Sequence, residues 1–100
     1  SIPPVPAGPT YSEQAAKLVE LQKILHTYGT PVPMDGAPGF TVNSPDYTLS
    51  ARLAGTNDLD LSVYWVPGNP SKLSLPLIIA DIRSRMAETL IGEYSIQPQQ

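Results

Sequence analysis

The residues in this chain able to do chemistry are few and scattered. His26 is the single histidine, and there is no cysteine. Imidazole acid–base catalysis needs a partner within hydrogen-bond reach. His26 falls in the last turn of a predicted helix, where a cation complements the negative helix end, and that role accounts for it. Asp35 and Asp46 border a long loop. Two carboxylates gathered in one cleft could divide acid and base roles, but Asp before Gly36 and Asp after Pro45 are also ordinary turn chemistry. An enzyme would need a cleft that collects His26, Asp35 and Asp46. Asp58 and Asp60 flank Leu59, and a strand would point both carboxylates the same way. That begins like a calcium loop, but the later glycine and glutamate of such a loop are missing. Nucleophile elbows, phosphate-binding glycine loops and zinc-binding H-E-x-x-H helices do not occur in the sequence. Lacking cysteine, the chain has no disulfide framework, thiolate metal site or thiol nucleophile. The reading is non-enzymatic, with no cofactor and no metal.

The elements that would hold these residues are legible. Thr10-Tyr11-Ser12-Glu13 matches a capping box, with Ser12 as a rival cap. Leu18, Leu21, Leu25 and Tyr28 then fall on one helical stripe, widened by Ala15 and Ile24. Gly29 and Pro31 stop it, so the spacing predicts a helix over 11–28. Residues 30–45 read as a long Pro/Gly loop with a candidate short strand at 39–42 and a turn at Asp35-Gly36.

From Tyr47 to Trp65 two apolar/polar alternations flank Gly55-Thr56-Asn57. Paired residues must share a face, so parity sets the register of the hairpin. Leu53 opposite Leu59 aligns Ala51 with Leu61, Leu49 with Val63 and Tyr47 with Trp65, and places Arg52 opposite Asp60 on the other side. A second helix follows, with Ser74 as its cap, Pro76 in its first turn and Gly92 as its stop. Leu75, Ile78, Ile79, Ile82, Met86 and Leu90 give it a broad apolar face. Asp81 and Arg85 form an i,i+4 pair on its wet side.

A two-stranded hairpin is too weak alone, and the two helices supply its cover. The expected fold is therefore α+β and two-layered: helix, long loop, hairpin, helix. In domain terms, residues 1–9 read as an extended Pro-rich arm, 10–93 as a single domain and 94–100 as a polar C-terminal tail with Tyr94 and Ile96 embedded in it.

One stretch has a family likeness. LVELQKILHTYG followed by PVPMDGAPGF resembles the opening half of a peptidoglycan-binding repeat of the small helical type, through Leu21, Gln22, Leu25, Gly29, Asp35, Gly36, Gly39 and Phe40. The resemblance covers residues 18–40 and implies a further helix after the Gly-Phe step. This chain continues to Pro45 and a hairpin instead.

Composition narrows the partners. The net charge is −3 with no basic cluster, which argues against an electrostatic nucleic-acid footprint. The longest apolar run, Leu75 to Ala80, is far short of a membrane span, and no signal-peptide pattern is visible. Proline is abundant at 12 residues, concentrated in the arm and the loop.

Tyr64 and Val66 are apolar residues on a nominally wet face, a pattern that suggests protein contact. With Met34 and Phe40 of the loop and Pro3 and Pro4 of the arm, they are the candidate partner-binding residues. The reading is a structural or assembly subunit that binds other protein chains, copies of itself included, through a hairpin face and extended arms. Small structural proteins of virus particles and secretion machines offer an architectural analogy. The alternative is a small ligand-binding module for glycan or cell wall, using Met34, Asp35, Phe40 and nearby tyrosines.

Overall fold

The computed structural model describes residues 11–54, 58–68, 74–86 and 94–98. The fold is α+β. Chain order is α1 (Tyr11–Leu25), β1 (Pro31–Pro33), β2 (Gly39–Asn43), β3 (Tyr47–Ala54), β4 (Asp58–Trp65), α2 (Leu75–Arg85) and β5 (Tyr94–Pro98). The strands form one five-stranded sheet in the order β1-β2-β3-β4-β5. All neighbours are antiparallel except β4 and β5, which are parallel. A parallel pair requires a crossover, and α2 lies on that connection.

The hairpin has the register that its parity requires. Tyr47 pairs with Trp65, Leu49 with Val63, Ala51 with Leu61 and Leu53 with Leu59. Ala54 opposite Asp58 leaves residues 55–57 as the connection, outside the described residues. On the far side Arg52 meets Asp60 at 3.0 Å, with both side chains well exposed.

The sheet is wider than a hairpin plus one short strand. Gly39–Asn43 pairs with β3 through Gly39↔Arg52 and Val42↔Leu49. Pro31–Pro33 adds β1, and Gly36 takes the positive φ (70°) of the turn between β1 and β2. Proline is tolerated in β1 because this is an edge strand. Met34 N–H donates to the Gly39 carbonyl at 3.0 Å. Strand amides alternate in direction, so the Val32 amide also faces β2, and the free side falls to Pro31 and Pro33, which have no N–H. The C-terminal segment, set apart as a tail by its polarity, enters the sheet as β5.

Both helices cover one side. α1 packs on β2, α2 on β4 and β5, and the helices touch each other. The core beneath them joins Leu21, Ile24 and Leu25 of α1 to Leu75, Ile79, Ile82 and Met86 at α2. From the sheet it takes Phe40, Val42, Leu49, Ala51, Leu53, Leu59, Leu61 and Val63. α1 ends earlier than residue 28 because its last turn tightens: Thr27 and Tyr28 donate to the carbonyls three residues back, Ile24 and Leu25.

Ser74 precedes α2 but does not cap it through its side chain. Its backbone is already helical (φ −89°, ψ −8°), and its hydroxyl makes no capping hydrogen bond. A capping side chain reaches the first amides from an extended backbone, which this residue lacks. The proposed cap Thr10, residue Leu90 and the stop Gly92 lie outside the described residues.

Gly39 is required by close approach. A Cβ there would stand 2.2 Å from the Ala51 carbonyl oxygen and 2.7 Å from the Arg52 Cα, both backbone atoms. Gly39→Ala must push β2 off β3, and the expected loss is about 3 kcal/mol. Urea unfolding should show a lower midpoint with an unchanged m-value. A double-mutant cycle on Arg52 and Asp60 should give a coupling of about 0.2–1 kcal/mol that shrinks as salt is added.

Candidate functional site

The side of the sheet away from the helices is built by the same alternation that builds the core. Register rows cross it from strand to strand. Val32, Thr41, Ser50 and Ser62 form one row, Asn43, Thr48, Tyr64 and Gln97 a second, and Gly39, Arg52 and Asp60 a third. The surface is mostly short hydroxyl and amide side chains, with the ion pair along one margin.

Its polar groups engage one another. Thr48 Oγ1 donates to Asn43 Oδ1 at 3.3 Å, and Ser50 Oγ lies 3.8 Å from the Met34 sulfur. Short side chains lose little rotamer freedom when covered, so such a face can be docked against at small entropic cost.

The candidate contact residues separate into groups. Tyr64 is half-buried on this face, in register with Thr48 and Gln97. Val66 is 44% exposed, and its N–H donates to the Asp46 carbonyl at 3.1 Å, which ties the end of β4 to the β2–β3 connection. Met34 is half-buried beside Ser50, near the opposite end of β2. The three are thus spread along the open side.

Phe40 does not belong with them. It is 9% exposed and part of the core, because it shares the inward parity of Val42 and pairs with Ala51. Pro3 and Pro4 lie outside the described residues. Sequence reasoning missed Val32, Thr41 and Asn43, which belong to this surface only once β1 and β2 are in the sheet.

The carboxylates that a cleft enzyme would need are held apart. Asp35 follows Met34 at the Gly39 end of β2, whereas the Ser44–Tyr47 turn puts Asp46 at the Asn43 end. Between them lies β2, at least about 13 Å of strand at ~3.3 Å per residue. His26 is exposed, and Ser44 Oγ donating to the Tyr28 carbonyl at 3.4 Å puts the α1 terminus at the Asp46 end. Among the described residues no cluster of metal-ligating side chains forms. Asp60 is committed to Arg52.

A second polar group joins the two helices. The Tyr28 hydroxyl donates to Asp81, Arg85 Nε donates to the same carboxylate at 3.1 Å, and an Arg85 guanidinium nitrogen reaches Thr27 Oγ1 at 3.4 Å. The Asp81–Arg85 pair is therefore also a clasp on the end of α1. Burial first, then the hydrogen bond to Asp81 and its negative charge, push the Tyr28 phenol up to about 12 from its ordinary 10.0. The neutral phenol is the form that the fold favours. Its contribution is complete below the ordinary value and is lost as pH rises through the shifted one.

Ultraviolet titration of the phenols should therefore show one tyrosine ionising late, near pH 12, and thermal stability declining above about pH 10. Asp81→Asn removes the facing charge and should return the late phenol toward the others.

The likeness of residues 18–40 to peptidoglycan-binding repeats stops short of the fold, since Gly39-Phe40 opens strand β2 where that family has a helix. Set against known protein families, curated proteins and solved structures, the chain matches none of them.

Proposed function

We propose that this chain is a non-enzymatic assembly subunit, which binds other protein chains through the side of its sheet that the helices leave uncovered. The observation that carries the reading is the one-sided architecture: both helices lie on one side of the five-stranded sheet. The other side carries, among the described residues, a surface of short polar side chains around Tyr64. Aromatic residues are enriched at protein contact surfaces, whose centres are poor in charge. Here the charged residues Arg52, Asp58 and Asp60 sit at one margin, and Arg52 and Asp60 are paired. The rigid sheet holds Tyr64 and, through the Val66–Asp46 bond, the end of β4. Such an arrangement suits a structural part of a larger particle or machine, of the kind found in virus particles and secretion systems.

The ligand-binding alternative has less support. Phe40 lies in the core, and Met34 and Asp35 occupy a single turn without an aromatic partner on it.

The test is the native mass of the tagged chain after gentle lysis of its source cell. It should elute within a complex. Tyr64→Ala combined with Val66→Asp should release it while leaving its thermal melt unchanged. Loss of a central aromatic contact is expected to cost at least about 2 kcal/mol of binding, roughly thirtyfold in affinity. Elution of the unaltered chain at its free mass would overturn the proposal, as would a complex indifferent to both substitutions.

A further inference from the structure

We propose that the outer edge of β5 pairs with the same edge of a second copy of this chain, antiparallel about a two-fold axis, to make one continuous sheet. This deepens the assembly reading by naming one partner and rests on it only in taking that partner to be a protein chain.

The two edges of the sheet are chemically unlike. The free side of β1 carries Pro31 and Pro33 and so offers no N–H to a new strand. β5 is the other end of the strand order, and among the described residues nothing pairs beyond it. Amide direction alternates along a strand, and Pro98 alone of the five residues Tyr94–Pro98 lacks an N–H. Whichever parity faces outward, either positions 95 and 97 or positions 94 and 96 present donors. Among the described residues, the edge is open to strand addition.

The strand also fits a copy of itself. YSIQP carries no charge, so two chains each of net charge −3 can meet there without opposing like charges directly. Edge strands are commonly defended by Lys or by inward charges, and β5 has neither.

An antiparallel pairing centred on position 96 sets 94 opposite 98 and 95 opposite 97, so each copy keeps its helix-covered side aligned with that of the other. The buried row Val42, Leu49, Val63 ends on Ile96, which is only half-buried at the sheet edge. The Ile96 of a second copy, placed directly opposite, would continue that row and seal its end. The interface is isologous and closes after two chains, as self-complementary contacts do.

The test uses the full chain. It has no cysteine, so Gln97→Cys, at an exposed position of β5, accepts a single spin label. Sedimentation velocity from micromolar to near-millimolar chain should show a species of twice the chain mass, with or without the label. In that species electron paramagnetic resonance should show strong dipolar broadening, because the two labelled positions are diagonal neighbours about 8 Å apart. A chain that stays monomeric throughout overturns the inference and leaves the open-face reading standing. A dimer without broadening overturns it as well, since the copies then meet elsewhere.

Discussion

Leu49 and Val63 face each other in the middle of the sheet, both fully sealed from water, with Val42 beside Leu49 on the next strand. Everything else in the molecule is arranged around keeping this row dry. Strand side chains alternate, so fixing one buried pair fixes the side of every other residue in β3 and β4. A slip of one residue would turn the apolar row to water and bring Thr48, Ser50 and Ser62 under the helices. Burial of apolar surface contributes about 25 cal/mol per Å², and no gain on the polar side offsets its loss along a whole strand. The Arg52–Asp60 bridge is too exposed to compete with that. It agrees with the register and adds little to stability.

The helices follow from the same constraint. The two-stranded core of the sheet has one dry side and needs cover only there. α1 and α2 provide it from opposite ends of the sequence, and the Tyr28–Asp81–Arg85 group joins them where they meet. Burial of Tyr28 is the first cause of its raised phenol, with the bond to Asp81 adding to it. Because both helices lie on one side, the other carries, among the described residues, the short hydroxyls and Tyr64. The one-sidedness that stabilises the fold is also what supports its reading as a protein that docks against others.

The margins of the sheet show a second kind of control. β1 is a strand made largely of proline, which can close a sheet but cannot extend it, since its outer side has carbonyls and no amides to give. Gly39 lets β2 run so close to β3 that any side chain would strike backbone. The Pro/Gly-rich stretch between helix and hairpin is thus a pair of strands with special requirements at their edges.

The elements with strong local periodicity were legible in the sequence. α1 shows its stripe at Leu21, Ile24 and Leu25, and the hairpin shows its register through parity alone, because both signals are carried by neighbours a few residues apart. The open side of the hairpin was legible for the same reason, Tyr64 included. What local pattern could not decide was whatever depended on a distant partner. Pro31–Pro33 reads as a loop until β2 lies beside it, and an edge position removes the penalty that proline would meet inside a sheet. Residues 94–98 read as a polar tail until the crossover through α2 brings them against β4, a parallel pairing with no turn to announce it. Phe40 could face a partner or the core on sequence grounds, and only the pairing of β2 with β3 gave it the inward parity. The sequence alone determined which residues must be dry within each helix and each hairpin strand. The tertiary structure decided which side of the whole sheet the two helices cover and which edge strand keeps its amides, because both depend on where elements far apart in the chain come to lie.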